Sequence, residues 1–306
     1  MKDEKYLAYA ILITAFLSEP LLACDLCSVY SAQEAQGGGK GFFGGVAEQY
    51  TDFGTFQSDG RTVPNPDGES LASLSLQVFG GYNFNGHFGV QFNLPVIYRE
   101  YRKTGANGSE TGIGDASLIG NFRFNRKLTD DLSVTWTALG GIKFPTGDAA
   151  RLNQPDFADG IGGHDLTLGS GSFDGLVGMG FDVRWKRLFL NGEMQYAIRT
   201  EGDFHYQFAN DWTWSGGPGA YLVLKDDCTV AFEVATSGES KGQDTQNGVA
   251  TDDTAETIVY VGPEIYFTWQ DRLSAHVGAD LPVSIASTGD QIVPDYRIHA
   301  AITWRF

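Results

Sequence analysis

The stretch RIHAAITWRF, residues 297–306, decides how this chain is read. Taken in steps of two it gives Phe306, Trp304, Ile302, Ala300 and Ile298 on one side, and Arg305, Thr303, Ala301, His299 and Arg297 on the other. A period of two is the signature of a strand whose faces meet different surroundings. Strands of soluble sandwiches share that pattern, so the reading turns on whether the remaining sequence repeats it.

It does, with a rhythm. Twelve strand-like runs fall at approximately 42–56, 70–84, 87–101, 114–127, 132–146, 169–185, 187–200, 205–224, 228–237, 256–269, 273–286 and 295–306. Short connections (NFNGH at 83–87, RKLTDD at 126–131, WKR at 185–187, KDDC at 225–228, WQDR at 269–272) take turns with longer ones rich in Gly, Asp, Ser and Asn. The longest of these are expected at 57–69, 102–113, 147–168 and 237–255. Barrels that cross a membrane have short turns on one side and long loops on the other. Most of the runs exceed the roughly 9–11 residues that a tilted strand needs to span a bilayer.

The polar faces say which side is wet. In the third run Phe88, Val90, Phe92, Leu94, Val96 and Tyr98 oppose Gln91, Asn93 and Arg99. In the eleventh, Leu273, Ala275, Val277, Ala279, Leu281 and Val283 oppose His276 and Asp280. A soluble barrel would turn its charges outward. Here Asp115, Arg123, Asp174, Asp182, Arg184, Glu193 and Arg199 are assigned to an interior, as are Glu233, Glu264, His276, Asp280, Arg297 and Arg305. Lipid offers backbone groups no partners, so a sheet in lipid has to close on itself. The expected fold is all-β: a transmembrane up-and-down antiparallel barrel of twelve strands with both termini periplasmic, in a bacterial outer membrane.

Composition fits. Of 306 residues 40 are Gly and 13% are aromatic, as many strands and turns require. The formal net charge of −17 excludes nucleic acid as a partner, because a polyanion would be repelled. The apolar run YLAYAILITAFL is too short to span a bilayer and reads as the core of a signal peptide over residues 1–23. Residues 24–41 form an N-terminal segment, and 42–306 the barrel. Cys24 and Cys27 make a C-x-x-C followed by Ser28, which does not support haem attachment. Three readings stand side by side: a Cys24–Cys27 disulfide, a bridge from either to Cys228, and lipidation of Cys24. No metal site or cofactor is expected from the ligand spacing.

Three motifs carry a resemblance: TGIGDASLIGNFRF at 111–124, KFPTGD at 143–148 and LGSGSFDGLVGMGF at 168–181. They are similar to recurring strand entries and exits of the outer-membrane transporters grouped with the meta-pathway of phenol degradation. The resemblance implies a transport barrel, with aromatic compounds as one solute class. Physically the motifs read as structural first. Their glycines allow close approaches, and Asp115 and Asp174 are placed to accept backbone N–H bonds or to pair with basic neighbours near the outer rim. A C-terminal strand ending in an aromatic, here Phe306, resembles the signal read by the barrel-assembly machinery.

The function expected is a passive channel for small solutes, aromatic or hydrophobic ones among them, with a narrow charged lumen that prefers cations if acids line the path. Outer-membrane lipid and lipopolysaccharide are its surroundings. One rival is a structural or adhesion barrel whose loop acids, Asp148, Asp156, Asp159, Asp165, Asp244, Asp252 and Asp253, bind calcium or lipopolysaccharide; their plainer reading is as solvated loop residues. The other is a phospholipase-like hydrolase, for which no nucleophile with a spaced histidine partner is present. No enzyme activity is expected.

Overall fold

The computed structural model describes residues 39–270 and 272–306. The expected signal peptide, Cys24, Cys27 and the segment 28–38 lie outside the described residues. Fourteen strand segments join into twelve strands: β1 (Gly41–Ser58), β2 (Ser70–Asn83), β3 (Phe88–Lys103), β4 (Ala106–Ile113, resumed at Ser117–Lys127), β5 (Leu132–Lys143) and β6 (Asp174–Trp185). They continue as β7 (Leu188–Ile198), β8 (Asp211–Gly216, resumed at Pro218–Leu224), β9 (Cys228–Lys241), β10 (Glu256–Trp269), β11 (Leu273–Ser287) and β12 (Asp290–Arg305). Each pairs antiparallel with its neighbour in sequence. β12 then pairs with β1 through a register that sets Val46 opposite Ile302 and Phe43 opposite Arg305, and the sheet is closed.

Alternation sorts the side chains as the hydrophobic pattern requires. Val46, Val78, Phe92, Trp136, Val177, Ile265, Leu281 and Ile302 are exposed, on a scale no water-facing surface tolerates. Gln77, Gln91, Asn93, Glu233 and Glu264 are almost wholly buried. An apolar outside around a polar inside is the arrangement of a barrel whose solvent is lipid. Among the described residues no helix is long and apolar enough to cross a membrane; the crossing elements are strands.

The structure differs from the sequence reading in its connections. The loop expected at 102–113 is strand: Ala106–Ile113 folds back on β3 across a tight turn at Thr104 and Gly105, with Val96 opposite Ile113 and Lys103 opposite Ala106. Its polar composition (ANGSETG) hid it, because both faces of this extension are polar or small and no apolar alternation marks it. β9 runs to Lys241, so the loop expected at 237–255 is shorter, and β11 and β12 extend beyond the runs expected at 273–286 and 295–306 until only two residues join them. The run 169–185 starts as strand only at Asp174.

Candidate functional site

The inward groups assigned from sequence occupy three levels of the barrel. Nearest the short-turn rim is an open cavity of about 1160 Å³. Arg123, Asp182, Arg184, Glu193, Glu233, Glu264 and Arg305 all line it. Its basic groups (Lys40, Arg126, Lys127, Arg272 and Arg305 among them) sit toward the mouth, while Glu193, Glu233 and Glu264 come from deeper positions on β7, β9 and β10. Glu233 and Glu264 stand directly opposite each other across β9 and β10. Asn191 donates to Glu233 at 2.9 Å and Ser215 to Glu193 at 3.1 Å. No residue of the long loops contributes to the cavity wall.

The middle level carries a buried polar cluster on the adjacent strands β9 to β12. Arg297 donates through Nε to Asp280 Oδ2 at 3.0 Å and through Nη2 to the same oxygen and to Ser237 at 2.5 Å. Its guanidinium lies over the Tyr260 ring, 4.2 Å from the centroid. His276 and His299 are buried beside it, with ring centroids 5.7 Å apart.

The third level, toward the long loops, holds Asp115, Asp174 and Arg199, and here the lumen is filled. The connection 144–173 folds into the barrel mouth as a plug containing a 3-10 turn (Ala150–Asn153) and one α-helical turn, α1 (Gly163–Leu166). Ile161 and Leu166 are buried against the inward-facing Leu71, Tyr101 and Ile292. Leu168 packs on Ile97. Around these contacts the barrel wall ties down the plug backbone: Arg99 donates to the Asp165 carbonyl, Lys103 to that of Phe157, and Glu69 accepts the Gly160 N–H at 2.9 Å. Burial pushes the Glu69 carboxyl above the usual carboxylate range, partly offset by that N–H.

The three motifs of the sequence meet at the neck of this plug. Asp115 Oδ1 accepts the N–H of Gly147 at 3.0 Å, and Oδ2 accepts the N–H and hydroxyl of Ser170 at 2.9 and 2.7 Å. One carboxylate therefore grips both ends of the plug. Thr146 donates to the Gly114 carbonyl and accepts the Ala116 N–H, both at 2.8 Å. Gly147 and Gly169 lie backbone on backbone, and a Cβ on Gly169 would fall 2.6 Å from Gly147; only glycine allows the approach. Lys143 joins Asp115 to Asp174, 2.8 Å from each, and Arg199 bridges Asp174 to Asp211.

Several groups escaped the sequence reading. Lys143 opens the KFPTGD motif with no role assigned to it from the sequence, and Asp211 carries none either. The loop acids are not uniformly solvated: Asp244 is fully buried, accepting from the Tyr206 hydroxyl at 2.7 Å, the Ala209 N–H at 2.8 Å and Lys241 at 2.9 Å. Asp165 and Asp156 hold the α1 turn through the Gly162 and Gly163 N–H groups. A signal was present in the apolar Leu152, Phe157, Ile161, Leu166 and Leu168, too many for a loop bathed in water. Cys228 is half-buried at the start of β9, on the short-turn rim.

Comparison with known proteins places the architecture. No family model matches the chain. An outer membrane channel from Pseudomonas putida F1 superposes over 88% of this chain and 96% of its own, with a TM-score of 0.64 at 12% identity. At that identity the likeness is one of fold: both are closed barrels of the outer-membrane type. The translocator domain of the autotransporter NalP from Neisseria meningitidis aligns over 99% of this chain and 98% of its own at 12% identity, with a TM-score of 0.44.

Proposed function

We propose that the protein is a passive outer-membrane channel for small polar solutes, preferring cations, with the 144–173 plug holding its outer end shut. The short-turn rim faces the periplasm and the long loops face outward, as in barrels of this type. The observation that carries the reading is the open cavity of about 1160 Å³ whose inner end is set with Glu193, Glu233 and Glu264. Rings of carboxylates select cations by replacing part of their hydration and repelling anions. The mouth, richer in arginine and lysine, sets the rate at which ions of either sign arrive rather than which pass. The likeness to an outer membrane channel and the three family-like motifs agree with transport; the charged walls favour polar over hydrophobic solutes.

The test is a reversal-potential measurement in planar bilayers under a salt gradient. With the plug loosened by D115A the protein should pass cations in preference to anions, and adding E193Q/E233Q should lower that ratio several-fold. A channel that stays silent with the plug loosened, or that prefers anions, ends the proposal.

A further inference from the structure

We infer that Glu264, His276 and His299 form a binding site for one divalent transition-metal ion of the zinc, cobalt or copper type, at the inner end of the cavity. The site does not depend on the channel reading.

The donors come from three consecutive strands. Glu264 is on β10, His276 on β11 and His299 on β12, and each has one ligand atom within 4.8 Å of the other two. His276 Nε2 lies 3.7 Å and His299 Nδ1 3.9 Å from Glu264 Oε1. These separations are too long for hydrogen bonds. They lie close to the edge of a coordination polyhedron: with metal–ligand bonds of about 2.0–2.1 Å, tetrahedral donors sit about 3.4 Å apart. The two histidine–glutamate separations exceed that edge by only about 0.3–0.5 Å.

Two further features are those of a built site. His299 Nε2 faces Asp280 Oδ2 at 3.4 Å, and Asp280 is itself held by Arg297. A carboxylate on the ring nitrogen away from the metal fixes the tautomer and strengthens the ligand, the usual outer shell of a metal-bound histidine. Gly278 stands opposite both Glu264 and His299 in the ladder. A Cβ there would fall 2.5 Å from His299 Nε2 and 3.4 Å from Glu264 Cγ, so the missing side chain is the space into which the imidazole leans.

The chemistry selects the cation. Two imidazoles and one carboxylate are a borderline set that suits zinc, cobalt, nickel and copper and serves calcium and magnesium poorly. Glu264 is part of the cavity wall, so the site adjoins the space by which solvent enters.

The experiment uses the full chain in detergent, with Cys24, Cys27 and Cys228 replaced by Ser and His87, His164 and His205 by Gln. After chelator treatment it is titrated with cobalt chloride and, separately, copper chloride. One equivalent of cobalt should bind and give the visible absorption of a low-symmetry site, and the copper signal should show coupling to two imidazole nitrogens. D280N should weaken binding about 10–100-fold, the range for loss of an outer-shell partner. E264Q and H299Q should abolish the stoichiometric site, and magnesium should not compete. Absence of cobalt binding, or a copper signal without two nitrogens, overturns the inference on the parent chain even if E264Q or H299Q fails to fold. Binding that survives both substitutions overturns it too.

Discussion

Replacing Asp115 by Ala should convert a plugged barrel into one that opens often. The Asp115 carboxylate is 5% exposed, and it is the acceptor shared by Gly147 and Ser170 at the two ends of the plug. Hydrogen bonds to a charged partner contribute about 1.5–3 kcal/mol each. Losing the two backbone donors alone, at the low end, removes about 3 kcal/mol from the plugged state. At 1.4 kcal/mol per factor of ten, the population with the plug displaced should rise about 100-fold. Lys143 does not become a stranded charge, because Asp174 remains 2.8 Å from its ammonium. The assay is the open probability of single channels, paired with limited proteolysis within 149–165. D130A is the control: Asp130 is fully exposed in a turn and its pair with Lys127 should contribute little. A D115A barrel that assembles normally yet shows unchanged open probability and unchanged plug cleavage would refute the clasp.

Two other outcomes follow from the same contacts. Glu69 has its folded pKa raised by burial, so the plug it holds should be more stable below that raised value and loosen as pH rises through it. E69Q should flatten that dependence of open probability, and a plug that tightens with rising pH contradicts the assignment. R297M removes the arginine from Asp280, which is 2% exposed and is then left facing His299 at 3.4 Å, and should cost about 3 kcal/mol in urea-induced unfolding. Adding D280N should recover a good part of that loss; a double variant less stable than R297M would exclude the stranded-charge account.

The barrel was legible because its information is local. Each strand declares its two faces residue by residue, and twelve such declarations separated by alternately short and long connections leave one architecture. The pattern fails where both faces meet similar surroundings: Ala106–Ile113 stands above the apolar band, with no lipid to demand a greasy side, and its sequence looks like a loop. The strand ends at Lys241 and Asp290 carry no apolar alternation for the same reason, since polar residues there pair as strand without contacting hydrocarbon.

The interior sites follow a different logic. Asp115, Gly147 and Ser170 are far apart in sequence, and the motifs that contain them announce glycine and acid without saying what the acid holds. Which of these groups meet depends on strand register and on where a thirty-residue excursion comes to rest, and neither is written in a period of two. The same holds for Glu264, His276 and His299. Alternation points each inward, but only the ladder that sets Gly278 against both Glu264 and His299 makes them converge. Direction is encoded in the spacing along a strand, whereas chemistry arises from the stagger between strands. A one-residue slip would turn one strand's groups to the lipid face and dissolve the cluster. The apolar band forbids that slip, because it would carry Ile265, Val277 or Ile298 inward and a charge into hydrocarbon. The hydrophobic exterior therefore determines which buried charges meet, and the function of the lumen rests on the lipid-facing side of the same strands.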